Sequence, residues 1–197
     1  MLQDILKSAT KDNHDELESL MFVNEIMNKT LTLEHYKTLL ATNYIVHSAI
    51  EAKLHEALDN ELKLELDINR RNKLAALEQD MLEVQLDKEE LDALDFDFLD
   101  VKEYTNASAL GAMYVLEGAT LGGNVIQKKL RATPAFQNLN LNYYTVYGQH
   151  LMPSWLSFVE VLNSSVPETD FSVARDSAVK MFENIAEVAK TVKTVLA

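Results

Sequence analysis

The stretch DVKEYTNASALGAMYVLEGATLGGNVIQKKL, Asp100–Leu130, decides the fold. Apolar residues recur in it at steps of three and four, the period of a helix face and not of a strand, which predicts one long helix from about Val101 to Leu130. Asp100 with Glu103 three residues later reads as a capping box, and Pro134 just beyond the far end reads as the breaker. The anomaly is glycine. Gly111, Gly118, Gly122 and Gly123 are four of the chain's five glycines, and each interior glycine costs a helix roughly 0.5–1 kcal/mol relative to alanine. Something outside helix propensity must offset them.

Working outward, the same three-to-four spacing runs through nearly all of the 197 residues, and with only five Gly and three Pro the reading is an all-α chain. A first helix is expected over Leu2–Phe22 and a second over about Leu33–Leu58. A loop or short turn then leads to a helix near Arg70–Leu86 and a short one near Lys88–Leu94, followed by DFDFLD as an extended linker. Beyond Pro134 a further helix takes in YYTVYGQHLMPSWLSFVEVLN with a kink or break at Pro153. NSSVPETD caps the last helix through Ser165, Pro167 and Glu168, and that helix ends at Val195. No repeat, low-complexity tract or long linker divides the chain, so residues 1–197 are expected to form a single domain.

The formal net charge of −13 repels phosphate backbones and anionic lipid, and argues against nucleic-acid and membrane partners. The absence of cysteine removes disulfides, thiolate metal sites and thiol catalysis. With neither a signal-peptide pattern nor an apolar run of about 20 residues, the expected location is the cytoplasm.

Two features can carry chemistry. His14 follows Leu6 and Thr10 and precedes Leu17 and Met21 at helical steps, which puts an imidazole on the face expected to be buried, as a hydrogen-bonded core residue or as a ligand. His35, His47, His55 and His150 lack the repeated carboxylate–His spacing of a di-iron bundle. The glycines share one side of their helix, where they suit either close packing of a neighbouring helix or close approach of a flat ligand to bare backbone. Tyr114 can bond a ligand's edge or cap the core, and Glu117 is expected to be solvated or paired with Lys or Arg. An imidazole on one helix facing a side-chain-free strip on another is what a planar, metal-bearing cofactor needs.

LKSATKDNHDELE, Leu6–Glu18, resembles the proximal-helix motif of the haem oxygenases, and LGAMYVLEGATLGG, Leu110–Gly123, resembles the distal helix of their bacterial branch. Roughly a hundred residues separate the two, as in that family. Fainter similarity runs through YGQHLMPSWLSFVEVL and FSVARDSAVKMFENIAEV. The resemblance implies a single-domain bundle of seven to nine helices that cleaves haem to biliverdin, iron and carbon monoxide, using O₂ and electrons from a separate reductase or ferredoxin. It makes His14 the iron ligand and Gly118, Gly122 and Gly123 the wall over the haem. It also makes Thr120 a candidate for ordering water, and Lys7 and Tyr114 contacts to the polar edge. The chain departs from the pattern twice. Ala119 stands where animal-type members carry an Asp that organises water, and Leu156 stands where many bacterial relatives carry an Arg after the Trp matching Trp155. The second loss leaves Lys128, Lys129 and Arg131 as candidate propionate anchors. A haem carrier or sensor and a purely structural helical domain are the rival functions.

Overall fold

The computed structural model describes residues 1–99 and 103–196, and among them there are ten α-helices and no strand. They are α1 (Leu2–Ala9), α2 (Lys11–Leu20), α3 (Val23–Asn28), α4 (Leu33–Ala57), α5 (Asn60–Glu65), α6 (Leu74–Glu83), α7 (Lys88–Asp92), α8 (Asn106–Arg131), α9 (Leu151–Ser165) and α10 (Phe171–Val195). Ten exceed the seven to nine expected for the bundle because three are short turns of helix; seven have eight residues or more.

The long helices α4, α8 and α10 form the centre, and one hydrophobic core runs through all three. α4 is buried on most of its circumference, from Tyr36 to Leu54, as a helix enclosed by neighbours must be. Its buried Thr38 and Thr42 hydroxyls turn back to donate to the carbonyls of Glu34 and Thr38, so neither is left unsatisfied. Gly111 explains why α8 and α10 approach so closely. A β-carbon there would lie 2.8 Å from the Ala174 α-carbon on α10, a separation that only glycine permits.

The N-terminal segment departs from the expected single helix. It bends at Thr10, whose hydroxyl donates to the Leu6 carbonyl at 2.8 Å, and then breaks at Phe22, which adopts a left-handed conformation (φ 55°). Backbone hydrogen bonds continue across the Thr10 bend, from Thr10 N to Leu6 O and from His14 N to Thr10 O, both 2.9 Å. Phe22 keeps its uncommon backbone because its ring is held on both faces. It stacks on His35 at 4.3 Å between centroids, and the Lys193 ammonium lies 4.2 Å from the ring centre.

Other boundaries shift for local reasons. α8 starts at Asn106 under a Thr105/Ser108 capping box, so the box expected at Asp100 does not start it; Asp100 itself lies outside the described residues. Tyr143–Thr145 and Gly148–His150 are 3₁₀ turns, and α9 begins only at Leu151, which places Pro153 in a first turn where its missing N–H costs nothing. The helix expected near Arg70–Leu86 is α6, which starts only at Leu74 because Ile68–Arg71 forms a 3₁₀ turn before it. Asp97–Leu99 of the expected extended linker is a further 3₁₀ turn. Asn60–Glu65, expected as loop, is helical because Asp59 caps it by accepting from Leu62 N at 2.9 Å.

Candidate functional site

The four glycines of α8 separate into two kinds. Gly111 is packed by α10, and a β-carbon on Gly123 would meet the Tyr144 carbonyl at 3.4 Å, so these two serve close packing. At Gly118 an added β-carbon would touch only the tip of the Trp155 indole, at 3.7 Å, and at Gly122 it would meet nothing within 4 Å. No neighbouring helix therefore explains Gly118 or Gly122. Their face stays open along Ala119, Gly122 and Val125, which are exposed.

His14 is not buried, contrary to the stripe that places it there. The bend at Thr10 turns α2 out of line with α1, so Leu6 and Thr10 are buried while no residue of α2 is. The imidazole is 59% exposed, and its centroid lies 6.1 Å from that of the Phe182 ring on α10, the two planes 64° apart. Nδ1 lies 3.7 Å from Glu18 Oε1 and 4.0 Å from Asp15 Oδ1, which turns Nε2 away from the carboxylates. A carboxylate beside one ring nitrogen favours the tautomer whose other nitrogen can bind a metal.

The segment α1–α3 leans on the central layer along its length. α1 packs on α9 and α10, α2 on α10, and α3 on α8, where Lys129 donates to the Met27 carbonyl at 3.4 Å. At the other end Tyr114 is half-buried, its ring 5.8 Å from that of Trp155; burial raises its pKa, with a smaller push from Asp4 on α1. The segment thus comes near α8 at Tyr114, through Asp4 of α1, and at Lys129, through Met27 of α3, and Gly118 and Gly122 lie between those two positions on α8.

Of the candidate anchors, Lys7 and Lys128 are exposed and make no hydrogen bond or ion pair among the described residues. Arg131 is committed to the carbonyls of Leu139 and Asn140, at 3.2 and 3.0 Å, and Lys129 to Met27. Leu156 is exposed on α9, as is Met152 one turn earlier. The Thr120 hydroxyl donates to the Glu117 carbonyl at 2.6 Å, so its oxygen can accept a hydrogen bond but its proton is already used.

Behind the glycine strip lies a buried charge cluster. Glu117 takes the paired option in full, receiving Lys73 Nζ at 2.6 Å, Arg71 Nη1 at 2.7 Å and the Tyr147 hydroxyl at 2.8 Å, and all three charged side chains are at most 4% exposed. Burial alone would raise the Glu117 pKa, but Lys73 and Arg71 overcome it and hold the carboxyl below its ordinary value. Glu51 on α4 adds a second carboxylate, accepting from Lys73 N at 3.0 and 3.1 Å, so two cations face two anions and the cluster is close to neutral. Nearby, Asp80 of α6 accepts from the backbone of Asn142 and Tyr143, at 2.7 and 2.9 Å, and fixes the 3₁₀ segment that backs Gly123.

The sequence reading missed Arg71, Lys73, Tyr147 and Asp80. A carboxylate between Leu116 and Gly118 demanded a cation, and RRNK, Arg70–Lys73, is a dense local cation run, but nothing in one dimension joins them.

Comparison with known proteins agrees with this architecture. The family model described as heme oxygenase matches residues 1–189. The chain is 29% identical over 84 residues to heme oxygenase 1 of Gallus gallus and 32% identical over 84 residues to that of Bos taurus. Each match covers 41% of this chain, but only 27% and 28%, respectively, of the longer relatives. Among solved structures, Leptospira interrogans heme oxygenase superposes with a TM-score of 0.80 at 17% identity, covering 96% of this chain and 98% of that one. Heme oxygenase-1 of the cyanobacterium Synechocystis, solved in complex with heme, gives 0.77 at 17% identity over 99% and 93% of the two chains. An all-helical fold shared at nearly full length, together with a sequence match over residues 1–189, leads to one assignment: the chain belongs to the haem oxygenase family.

Proposed function

We propose that the chain is a haem oxygenase, binding haem between α2 and the open glycine strip of α8 and cleaving it to biliverdin, iron and carbon monoxide. O₂ is the oxidant, electrons come from a separate reductase or ferredoxin, and the site of action is the cytoplasm. The observation that carries this is the open space over Gly122 and the near-open space over Gly118, two interior helical glycines that no protein group packs against beyond one indole tip. The donor set fits the ligand: one imidazole with Nε2 turned away from its carboxylates, a bare wall, and two unpaired lysines for carboxylate groups.

Haem, when bound, supplies the redox chemistry and is itself the molecule cleaved. The protein's part is orientation and proton supply. His14 would hold the group through Nε2, with Glu18 beside Nδ1 steadying the ring. Gly118 and Gly122 would let α8 lie close to the group without side chains between them and limit the space left beside it. Lys7, Lys128 and the Tyr114 hydroxyl contact the polar edge. With Ala119 in place of an acid, ordered water is held by backbone carbonyls and by the accepting lone pairs of Thr120.

A haem titration followed by reduction in air tests this. The expected result is one haem per chain, then loss of the haem band and growth of a biliverdin band. Retention of the haem band under O₂ and reductant would make the chain a carrier or sensor; no uptake at stoichiometric haem would refute the site.

A further inference from the structure

Arg71 reaches from the end of its 3₁₀ turn into the space between α8 and α9 and is held in every direction. Nη1 donates to Glu117 Oε2 at 2.7 Å, Nη2 to the Ser154 carbonyl at 3.2 Å and Nε to the Leu66 carbonyl at 2.7 Å, while Cζ lies 5.6 Å from the centre of the Phe158 ring. Glu117 and Ser154 have a common property. Each immediately precedes a member of the pair that meets across α8 and α9, Gly118 and Trp155. One planar cation therefore ties the residue leading into Gly118 to the residue leading into Trp155.

Neutralising Glu117 does not require this arrangement. Lys73 already gives its other oxygen a compact charge at 2.6 Å, and Tyr147 adds a hydroxyl donor. What only a guanidinium supplies is a rigid fork whose donors fix the relative positions of two acceptors, here a carboxylate on one helix and a main-chain carbonyl on another. A lysine at position 71 could reach one acceptor but could not set the distance between both.

We propose that Arg71 is a positioning residue that sets the separation of Trp155 from Gly118, so that the indole and the bare backbone make one continuous wall against a flat ligand. The ligand part of this rests on the haem reading above; the positioning part does not. Trp155 is the chain's single tryptophan, so its emission reports its surroundings with haem absent.

The test compares Arg71→Lys with Tyr147→Phe, first without haem and then by haem titration. Arg71→Lys keeps the charge beside Glu117 and loses the Ser154 tie. Its Trp155 emission should shift to the red and become more accessible to acrylamide, with helix content unchanged and haem affinity about tenfold weaker at the same stoichiometry. Tyr147→Phe removes a hydrogen bond from the same carboxylate but leaves the tie; it should lower the melting temperature and leave the emission in place. If Arg71→Lys fails to fold, Arg71→Gln, which removes the fork but leaves Glu117 paired with Lys73 and Tyr147, gives the same comparison. Unchanged Trp155 emission in the Arg71 variant, or an equal shift in Tyr147→Phe, would overturn the positioning role. A shifted emission with unchanged haem affinity would overturn the wall. If even the unaltered protein takes up no haem, the haem reading fails, while the fluorescence comparison still decides whether Arg71 positions Trp155.

Discussion

The same substitution, glycine to alanine, should have opposite effects on stability at two positions eleven residues apart on one helix. At Gly122 a methyl group meets nothing within 4 Å, so no packing is disturbed and the helix gains the propensity difference of roughly 0.5–1 kcal/mol. For a chain of this size a gain of about 1 kcal/mol raises the melting temperature by about 2–4 °C. At Gly111 the new β-carbon would lie 2.8 Å from the Ala174 α-carbon, so α10 must move. That costs about 1–3 kcal/mol or more, which outweighs the propensity gain. Thermal and urea unfolding of both variants measure the two signs. Haem titration and turnover supply the second half: Gly122→Ala, though more stable, should bind and cleave haem less well, and Gly122→Leu worse still, because each fills the space that the ligand needs. A Gly122→Leu variant that bound and cleaved haem like the unaltered protein would refute the argument that this glycine exists for close approach. A destabilised Gly122→Ala would show that something does pack there.

The remaining predictions concern the ligand and the buried charges. His14→Ala should abolish ordinary haem ligation while leaving the melting temperature nearly unchanged, because the side chain is mostly exposed; an absorption spectrum identical to that of the unaltered protein would contradict the assignment. Glu117→Leu strands Arg71 and Lys73 in the interior and should cost about 3–5 kcal/mol in urea unfolding, a value near zero being incompatible with the pairing. Because the folded Glu117 titrates below its ordinary value of 4.5, its contribution is fully present above pH 4.5 and is lost as pH falls through the folded pKa. Glu117→Gln should therefore flatten the dependence of unfolding free energy on pH in that acid range, and an unaltered slope would show that the carboxylate is not held as described. Lys7→Ala and Lys128→Ala should each weaken haem binding in a salt-dependent way, measured by titration at two ionic strengths, whereas Arg131→Ala should not, since that guanidinium is spent on Leu139 and Asn140.

The helices were legible because burying a helix face imposes a period on the sequence, and α4, α8 and α10 are long enough for that period to stand out. Where the period misled, a local hydrogen bond or backbone angle had intervened. The bend at Thr10 divides the expected first helix into two, the left-handed Phe22 ends it, and with the bend His14 leaves the buried stripe. Composition and motif also carried the two residue types on which the proposed chemistry depends, an imidazole early in the chain and glycines on a late helix.

The sequence by itself thus determined an all-helical chain and the position of the glycine-bearing helix, because helix periodicity and glycine's cost act between residues a few places apart. Only the tertiary structure decided which glycines pack and which stay open, and that Arg71 and Lys73 close on Glu117 from 46 and 44 residues away. Contacts between distant segments depend on how whole helices lie against one another, and packing of that kind leaves no regular spacing in the sequence.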